Sequence, residues 1–321
     1  MMTLKELFAE HPQIIINSDL DGIASGLLLK QYYDVDIVGF SNSRDKIWVT
    51  PDVRDFTRPV YIDIFVANKQ LVCIDQHIIA ADAEHLEALR QNPNKINPNF
   101  TLGRTFLDSY CSKYPFGTLH YLIARMLGEG VDVRLPVLTC RFSKFPQVQF
   151  GHMLLRADDA LFSTLGPYSD NARQWWTELL TLSGAAPEFQ RLVDYIYTID
   201  AADNYAIKTA TNEFFLHTLG CDGEDGAFYD VTDADGRLLQ RINTFVNTLE
   251  HVTGWCCGYV LPQAYVVKTG TYRKYAATRT NLLELKRILT SDEMYSYSFI
   301  FGPNSASNPH RKNLSFTTNL Q

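Results

Sequence analysis

The chain has 321 residues, of which 46% are hydrophobic, 12% aromatic and 20% charged, and its formal net charge is -7. This composition excludes a disordered or fibrous protein, and the length is sufficient for two domains of ordinary size. The negative charge argues against a broad electrostatic contact with long duplex DNA, although a local basic groove could hold a nucleotide or a short single strand.

No targeting or membrane segment is predicted. The N-terminal run contains Glu6, Glu10 and His11 and lacks the basic start and apolar core of a signal peptide. No stretch reaches the roughly 18 to 20 apolar residues of a membrane span. The six cysteines contain no C-x-x-C pair, so we expect buried free thiols and neither a zinc ribbon nor a disulfide framework. We therefore predict a cytoplasmic protein that does not bind membranes.

The first half of the chain alternates short β-rich runs with helical patterns. In chain order, we predict strands at 13–17, 35–40, 59–65 and 71–75, and helices at 23–33, 80–90 and 116–127, with a turn-rich loop at 92–99. Such alternation is typical of a parallel sheet with helices on its faces. The predicted fold class is α/β, with a doubly wound, mostly parallel sheet.

Helical patterns dominate 151–203, where Trp175, Trp176, Leu179 and Leu180 form a predicted buried stripe. Periodicity fades at 219–236, where Gly, Asp and aromatic residues cluster. Beyond it we predict a helix at 237–251, strands within 259–268, a helix at 281–289, and closing strands at 295–301 and 314–318. This pattern predicts an α/β domain at 1–205, a linker at 206–235, and a small α+β domain at 236–321.

Acidic and polar side chains follow three of the predicted strands. In open α/β sheets, ligands bind just beyond the carboxyl ends of the strands. Several carboxylates at one edge repel one another unless a cation lies among them, so we expect a hard divalent metal site. A single acid would be explained as a helix cap or turn residue. The residues concerned are Asn17, Asp19 and Asp21 after the first strand, Asp63 after the apolar run 60–62, and Asp75, Gln76 and His77 after 71–74.

These residues resemble the motifs of the DHH phosphoesterase superfamily, which includes RecJ-like exonucleases, oligoribonucleases and manganese pyrophosphatases. The first motif, H/D-x-D-x-D-G followed by Ser or Thr, is similar to NSDLDGIAS at 17–25. The second motif, an Asp that ends a strand, matches Asp63, and the third, Asp-His-His, is similar to DQH at 75–77. The segment YPFGTLHYLIARMLG resembles the Gly-containing helix, and RADDA at 156–160 resembles the fourth motif. The matches occur in order over about 13–165.

The resemblance implies a metal-dependent phosphoesterase or nuclease-like protein that acts on a short oligonucleotide or a nucleotide. It implies one or two Mn²⁺ or Mg²⁺ ions that polarise the phosphoryl oxygens. Asp75 would support the site through hydrogen bonds, His77 would face the phosphate, and Ser25 would help the helix amides hold an anion. The implied metal ligands are Asp19, Asp21, Asp63 and Asp158. The candidate catalytic residues are Asp19, Asp21, Asp63 and His77.

Two positions depart from the family pattern. Asn17 stands where the first motif has His or Asp, and Gln76 stands at the first His of the third motif. Amide oxygens bind transition metals more weakly than imidazole or carboxylate does. Both residues remain candidate ligands, but the second metal position could be weak or empty. The alternative is a catalytically degenerate DHH-like protein that serves as a scaffold or holds a nucleotide or nucleic acid.

The C-terminal region lacks the glycine-rich, His-containing loop with which many family members bind the substrate phosphate. His310, Arg311 and Lys312 could provide a phosphate clamp instead, and a solvated hairpin tip is the alternative. The sequence leaves open whether the chain forms a homo-oligomer or binds a protein partner.

Four other classes of enzyme fit the sequence less well. DLDG at 19–22 also resembles the opening motif of haloacid-dehalogenase phosphatases, but Ser18 and Ile23 fit that motif poorly. No G-x-S-x-G, Walker A or G-x-G-x-x-G sequence is present. These absences disfavour a serine hydrolase, a nucleotide-driven motor and a Rossmann dehydrogenase.

Overall fold

A seven-stranded, mostly parallel sheet forms the centre of the computed structural model, which describes residues 2–256, 258–301 and 312–320. A three-stranded and a two-stranded antiparallel sheet accompany it. The strands are β1 Gln13–Asn17, β2 Asp36–Ser41, β3 Lys46–Val49, β4 Val60–Ile62, β5 Cys73–Ile74, β6 Lys95–Ile96, β7 Arg141–Phe142, β8 Phe145–Gln149, β9 Val266–Thr269, β10 Thr271–Ala276, β11 Met294–Phe301 and β12 Lys312–Thr318.

The central sheet has the strand order β6-β5-β4-β1-β2-β3-β9. All neighbours from β6 to β2 are parallel, whereas β3 pairs antiparallel with both β2 and β9. From β1 the chain passes to β2 on one side, and it later enters β4 on the other side. The order therefore reverses between β1 and β4.

Twelve α-helices surround the sheets in the described part of the chain. They are α1 Leu4–Glu10, α2 Leu20–Tyr33, α3 Ala83–Arg90, α4 Phe106–Ser109, α5 Thr118–Gly128, α6 Phe150–Leu154, α7 Ala160–Leu165, α8 Ser169–Leu182, α9 Pro187–Tyr197, α10 Asn204–Glu213, α11 Gln240–Thr253 and α12 Leu282–Leu289. Short 3-10 turns include Tyr110–Ser112 and Ala157–Asp159. No described helix has the length and apolar character required to cross a membrane.

Both faces of the central sheet are covered, because successive strand residues point to opposite sides. Ile14 and Ile16 of β1 join the core that contains α2 and α5, whereas Ile15 joins the core that contains α12 and strands β11 and β12. The strands β4 and β5 divide in the same way, with Tyr61 and Cys73 on the second side. Runs that are apolar at every position are therefore required here.

The structure confirms an α/β fold with a mostly parallel central sheet. Strands β1, β2, β4 and β5 and helices α2, α3 and α5 lie at or within a few residues of their predicted positions. Strands β3, β6, β7, β8 and β10 were missed. The boundary at 206–235 stays a prediction, but the segment beyond it contributes β9 to the central sheet and α11 to the core around α2.

Two expectations about buried residues need correction. Cys73 and Cys221 are buried, but Cys111 and Cys140 are exposed and Cys256 is half-buried. Cysteine spacing carries no information on which face of its element a thiol occupies. Within the predicted stripe of α8, the two tryptophans and Leu179 are buried, and Leu180 is only half-buried.

Lys95 is a buried cation that stabilises the loop between β4 and β5. Its ammonium donates hydrogen bonds of 2.7, 2.8 and 2.7 Å to the carbonyls of Val66, Asn68 and Leu71. Lys95→Met would leave these carbonyls without their donor, and we expect a loss of about 3 kcal/mol in the free energy of unfolding. Urea denaturation measures this loss of stability, and Lys69→Met, a substitution at an exposed lysine, is the control. Equal midpoints for the two variants would contradict this role.

Candidate functional site

The candidate site lies at the carboxyl ends of β1, β4 and β5, beside the point where the strand order reverses. Asn17 ends β1, Asp63 follows β4, and Asp75 follows β5 directly. Because these strands are parallel neighbours, residues distant in sequence meet at one edge. The structure thus brings the residues of the first three motifs together, and Gln76 connects them to Asp158 of the fourth.

Asp63 is the central carboxylate of the site. It is 2% exposed, and its backbone has the left-handed φ of 61°, a conformation that Asp tolerates better than most residues. One carboxylate oxygen accepts a hydrogen bond from the Thr118 hydroxyl at 2.9 Å. The other accepts from the Asn17 amide at 3.1 Å. Asp63 therefore links β1, β4 and the start of α5.

Asp21 caps the N-terminus of α5 from the neighbouring helix α2. Its two carboxylate oxygens accept backbone hydrogen bonds from Thr118 at 2.6 Å and Leu119 at 2.9 Å. A negative charge at this position also interacts favourably with the helix dipole. The residue before α5 must be small, because a Cβ on Gly117 would lie 2.6 Å from a carboxylate oxygen of Asp21.

The Asn17 side chain connects two carboxylates. Its amide nitrogen donates to Asp19 at 2.6 Å and to Asp63 at 3.1 Å, and its oxygen accepts from the Ser18 backbone and the Ser43 hydroxyl, both at 3.0 Å. The two donors on the oxygen side determine the orientation of the amide. In this orientation a neutral N–H group occupies the space between the two acids.

Gln76 and Asp158 form a second contact between an amide and a carboxylate. The Gln76 amide nitrogen donates to Asp158, a residue with a left-handed backbone in the 3-10 turn before α7. Gln76 is 1% exposed, and its amide oxygen finds no hydrogen-bond partner among the described residues. A buried carbonyl oxygen without a donor costs free energy. Rotation of the amide by 180° would direct this oxygen toward Asp158 and create a free ligand for a cation.

Asp75 and His77 form an ion pair at the edge of the site. The His77 Nδ1 lies 2.8 Å from a carboxylate oxygen of Asp75, and the His77 backbone N–H donates to the other oxygen at 3.1 Å. Burial would lower the pKa of His77, but the charge and hydrogen bond of Asp75 outweigh it and raise this pKa to about 9. The His77 side chain remains 29% exposed. The imidazolium form is therefore dominant at neutral pH.

The carboxylates of the site raise one another's pKa. Burial, followed by the charge of Asp158, raises the pKa of Asp21 to about 7, although the Leu119 and Thr118 amides oppose this shift. Burial, followed by the charges of Asp21 and Asp19, raises the pKa of Asp63 well above its ordinary value. Burial and the neighbouring Asp21 have the same effect on Asp19. The site therefore holds more negative charge than the protein neutralises.

Two groups of side chains in the described part of the chain could hold a metal ion. One consists of Asp21, Asp63 and Asp158, and the other of Asp63, Asp75 and His77. Within each group the ligand atoms all lie within 4.8 Å of one another. Asp63 belongs to both groups. The donor set is rich in hard oxygen atoms, and the Gln76 oxygen would join the first group only after rotation of its amide, so the residues fit a hard divalent cation.

The remaining predicted site residues are less central. Asp19 caps α2 by accepting from the Gly22 backbone at 2.9 Å, and it contacts Asn17. Ser25 is fully buried beyond the first turn of α2, so its position does not match the predicted role at the helix start. His310 and Arg311 lie outside the described residues. Lys312 begins β12, and its side chain is not described.

Several residues around the site were missed by sequence reasoning. Thr118 is the first residue of the predicted Gly-containing helix. Its position directly after Gly117 was the feature of the sequence that could have identified it as a site residue. Ser43 lies in the turn before the missed strand β3. The loop that carries Asp225 packs onto β1 through reciprocal hydrogen bonds of 2.8 and 2.7 Å between Ser18 and Phe228. Asp225 raises the pKa of Asp19, and nothing in the sequence pattern indicated that contact.

The chain was compared with known proteins. No protein-family model matches it. No curated protein and no solved structure matches it either. The DHH resemblance therefore rests on the four motifs in the sequence.

The contact between Gly117 and Asp21 predicts a specific effect on cation binding. Gly117→Ala would force the Asp21 carboxylate away from the start of α5, because the new Cβ would lie within 2.8 Å of both of its oxygens. We expect an affinity for Mn²⁺ about tenfold lower, as for one weakened charged ligand. Titration calorimetry measures it. Gly130→Ala is the control for backbone strain without a contact to Asp21, since its Cβ meets nothing within 4 Å but its φ is the left-handed 83°; equal affinities in both variants would contradict the prediction.

Proposed function

We propose that the protein is a divalent-cation-dependent phosphoester hydrolase of the DHH type that acts on a short oligonucleotide or a nucleotide. The observation that carries this proposal is the position of Asp63, which is shared by both groups of metal-ligating side chains. One carboxylate common to two adjacent ligand groups suits the bridging geometry of hydrolases that use two metal ions.

The fold supports this proposal. The parallel strands have the order β6-β5-β4-β1-β2, which corresponds to the flavodoxin-like order of doubly wound sheets. In such sheets ligands bind at the carboxyl ends beside the reversal of strand order. The four acidic positions of the resemblance lie at or next to this edge. A DHH-like domain is therefore the fold that we propose for the first half of the chain.

The candidate cation ligands are Asp21, Asp63 and Asp158, with the Gln76 oxygen as a fourth after rotation of its amide. A bound Mn²⁺ or Mg²⁺ would neutralise these carboxylates and stabilise charge on a phosphoryl oxygen. Asp75 holds the Nδ1 side of His77, and the Gln76 amide nitrogen lies 3.4 Å from its Nε2. A phosphate or departing oxygen that displaces this amide could accept from Nε2–H. With a cation at the Asp21, Asp63 and Asp158 group alone, His77 keeps its proton at neutral pH and can serve as a general acid. With a cation among Asp63, Asp75 and His77, it would be a neutral ligand instead. Asn17 keeps Asp19 and Asp63 together by hydrogen bonds.

A substrate screen tests this proposal. The full chain would be incubated with short RNA, single-stranded DNA, cyclic dinucleotides and nucleoside monophosphates, with Mn²⁺, with Mg²⁺ and with a chelator. We expect release of a phosphate or nucleotide from at least one substrate, and its loss with the chelator. Binding of Mn²⁺ would be followed by calorimetry on the same samples. Absence of hydrolysis across the panel, together with Mn²⁺ binding no stronger than background, would overturn the proposal.

The hydrogen bonds of Asn17 favour a second candidate function. Its amide satisfies Asp19 and Asp63 without any cation, so this half of the site is internally compensated. A protein that kept the fold and used it to hold a nucleotide or a strand end, or as a scaffold, would suit such an arrangement. The same screen separates the two candidates, because this one predicts nucleotide binding that neither depends on Mn²⁺ nor leads to hydrolysis.

A further inference from the structure

A cavity of about 180 Å³ opens beside Asp158. Residues from four places line it: the chain around the 3-10 turn Tyr110–Ser112, the 3-10 turn Ala157–Asp159, helix α7, and the start of α8. Among these residues, Asp158 belongs to the candidate metal centre. The cavity is therefore continuous with that centre and is built mainly from residues that the proposed cation chemistry does not use.

The cavity wall offers a cation beside the acidic site. The ammonium of Lys113 donates to the Tyr114 carbonyl at 3.3 Å, and it forms no ion pair among the residues that the structure describes. The pKa of Lys113 is lowered overall, because the effect of burial exceeds that of the charges of Asp158 and Asp75, which raise it. Since an ammonium has three donors, Lys113 retains donors for an anion that enters the cavity.

Asn171 adds a free hydrogen-bond acceptor. Its amide nitrogen donates to the Lys113 carbonyl at 2.9 Å, which positions both residues. Its amide oxygen is buried and has no hydrogen-bond partner in the part of the chain described. A buried acceptor that lines a cavity can be satisfied by a donor on a ligand.

Aromatic side chains complete the wall. Phe162 of α7 is half-buried, and Tyr168, at the start of α8, is 45% exposed. Such rings provide stacking surfaces for planar groups. The volume is below the roughly 300 to 1,000 Å³ typical of pockets for drug-sized ligands, so it suits a single ring system.

We propose that this cavity is a subsite for a planar aromatic group carried by the phosphoester, with Lys113 contacting the phosphate and Asn171 accepting a hydrogen bond from the ring. This inference rests on the proposed function, because it places the phosphate beside Asp158. A nucleobase and a simple aryl group both offer a planar face for stacking, but only a ring that carries an N–H or O–H group can also donate to Asn171. Tyr168 and Asn171 are specificity-determining residues in this arrangement, and the remainder of a longer substrate extends into solvent.

Equilibrium binding tests the subsite without requiring hydrolysis. Calorimetry with Mn²⁺ would compare adenosine 5′-monophosphate, phenyl phosphate and ribose 5-phosphate as ligands of the full chain. We expect at least one of the two aromatic phosphates to bind about tenfold more tightly than ribose 5-phosphate, as expected for one stacked ring. Higher affinity than ribose 5-phosphate for adenosine 5′-monophosphate alone identifies a nucleobase subsite. Higher affinity for both aromatic phosphates identifies an aryl subsite.

Two variants with matched controls test whether Tyr168 stacks on the ring and whether Lys113 contacts the phosphate. Tyr168→Ala should remove most of the aromatic preference, and Lys113→Met should weaken all three ligands about tenfold or more. Tyr197→Ala and Lys144→Met are the controls; Tyr197 is 48% exposed, close to the value for Tyr168, and Lys144 is exposed. Equal affinity for all three phosphates in the parent, or equal effects of a variant and its control, would overturn the subsite.

The binding experiment distinguishes failure of the subsite from failure of the proposed function. Tight aromatic binding without hydrolysis of any substrate would refute the hydrolase and retain the subsite. Hydrolysis with no preference for an aromatic group would retain the hydrolase and refute the subsite.

Discussion

Asp63→Asn is expected to abolish Mn²⁺ binding and to reduce phosphoester hydrolysis by about a thousandfold or more, as for loss of a principal electrostatic group in an active site. The reason is that Asp63 belongs to both groups of potential ligands, so one substitution weakens both. Asparagine tolerates the left-handed backbone of this position. Its amide oxygen can still accept from Asn17, while its N–H can donate to the Thr118 hydroxyl, which donates to Asp63 in the parent. The fold should therefore survive.

Calorimetry with Mn²⁺ and initial rates on the best substrate of the screen measure this effect. The control is Asp132→Asn, because Asp132 is 83% exposed and pairs only with an equally exposed Arg134. Circular dichroism would verify that both variants are folded. A variant at position 63 that binds Mn²⁺ and turns over substrate like the parent would refute the role of Asp63.

Removal of divalent cations is expected to make stability fall as pH rises. The pKa of Asp21 in the folded protein is raised from 3.8 to about 7, so the folded chain retains a proton that the unfolded chain has released. The resulting stability is fully present below pH 3.8 and is lost as pH rises through about 7. The shift corresponds to roughly 4 kcal/mol at most. His77, with its pKa raised to about 9, contributes stability that is lost at still higher pH.

Urea denaturation of the chelator-treated protein at pH values from 4 to 8 measures this dependence. The comparison is the Asp21→Asn variant, which lacks the titrating group. The free energy of unfolding of this variant should fall less than that of the parent between pH 4 and 8. Addition of Mn²⁺ should flatten or reverse the dependence in the parent, since the cation replaces protons among the carboxylates. A parent and a variant with the same slope in the absence of cation would contradict this account.

The sequence allowed the elements that carry the acidic residues to be predicted, because their signals are local. The apolar runs before Asn17 and Asp63 are typical of buried strands, and a helical pattern after Asp19 predicts α2. From these elements alone, the parallel sheet and the shared edge follow by general rules of topology.

The remaining contacts could not be predicted because they depend on packing between distant segments. Asp21 binds the start of α5, and the oxygen of Asn17 accepts from Ser43 in a turn that precedes the missed strand β3. Strand β3 itself is short, and its place is determined by antiparallel neighbours on both sides. Local patterns also cannot show that an amide at position 17 donates to two acids.

The pairing of β3 with β9 has a consequence for the order of assembly. Val49 lies opposite Val266, so more than two hundred further residues must be synthesised after β3 before the central sheet is complete. Until then β3 presents unpaired backbone groups along one side, which is the kind of edge that recruits other chains into aggregates. Contacts so distant in sequence also slow folding. A nascent or truncated chain that lacks residues 266–269 should therefore depend on chaperones more than a chain that contains them.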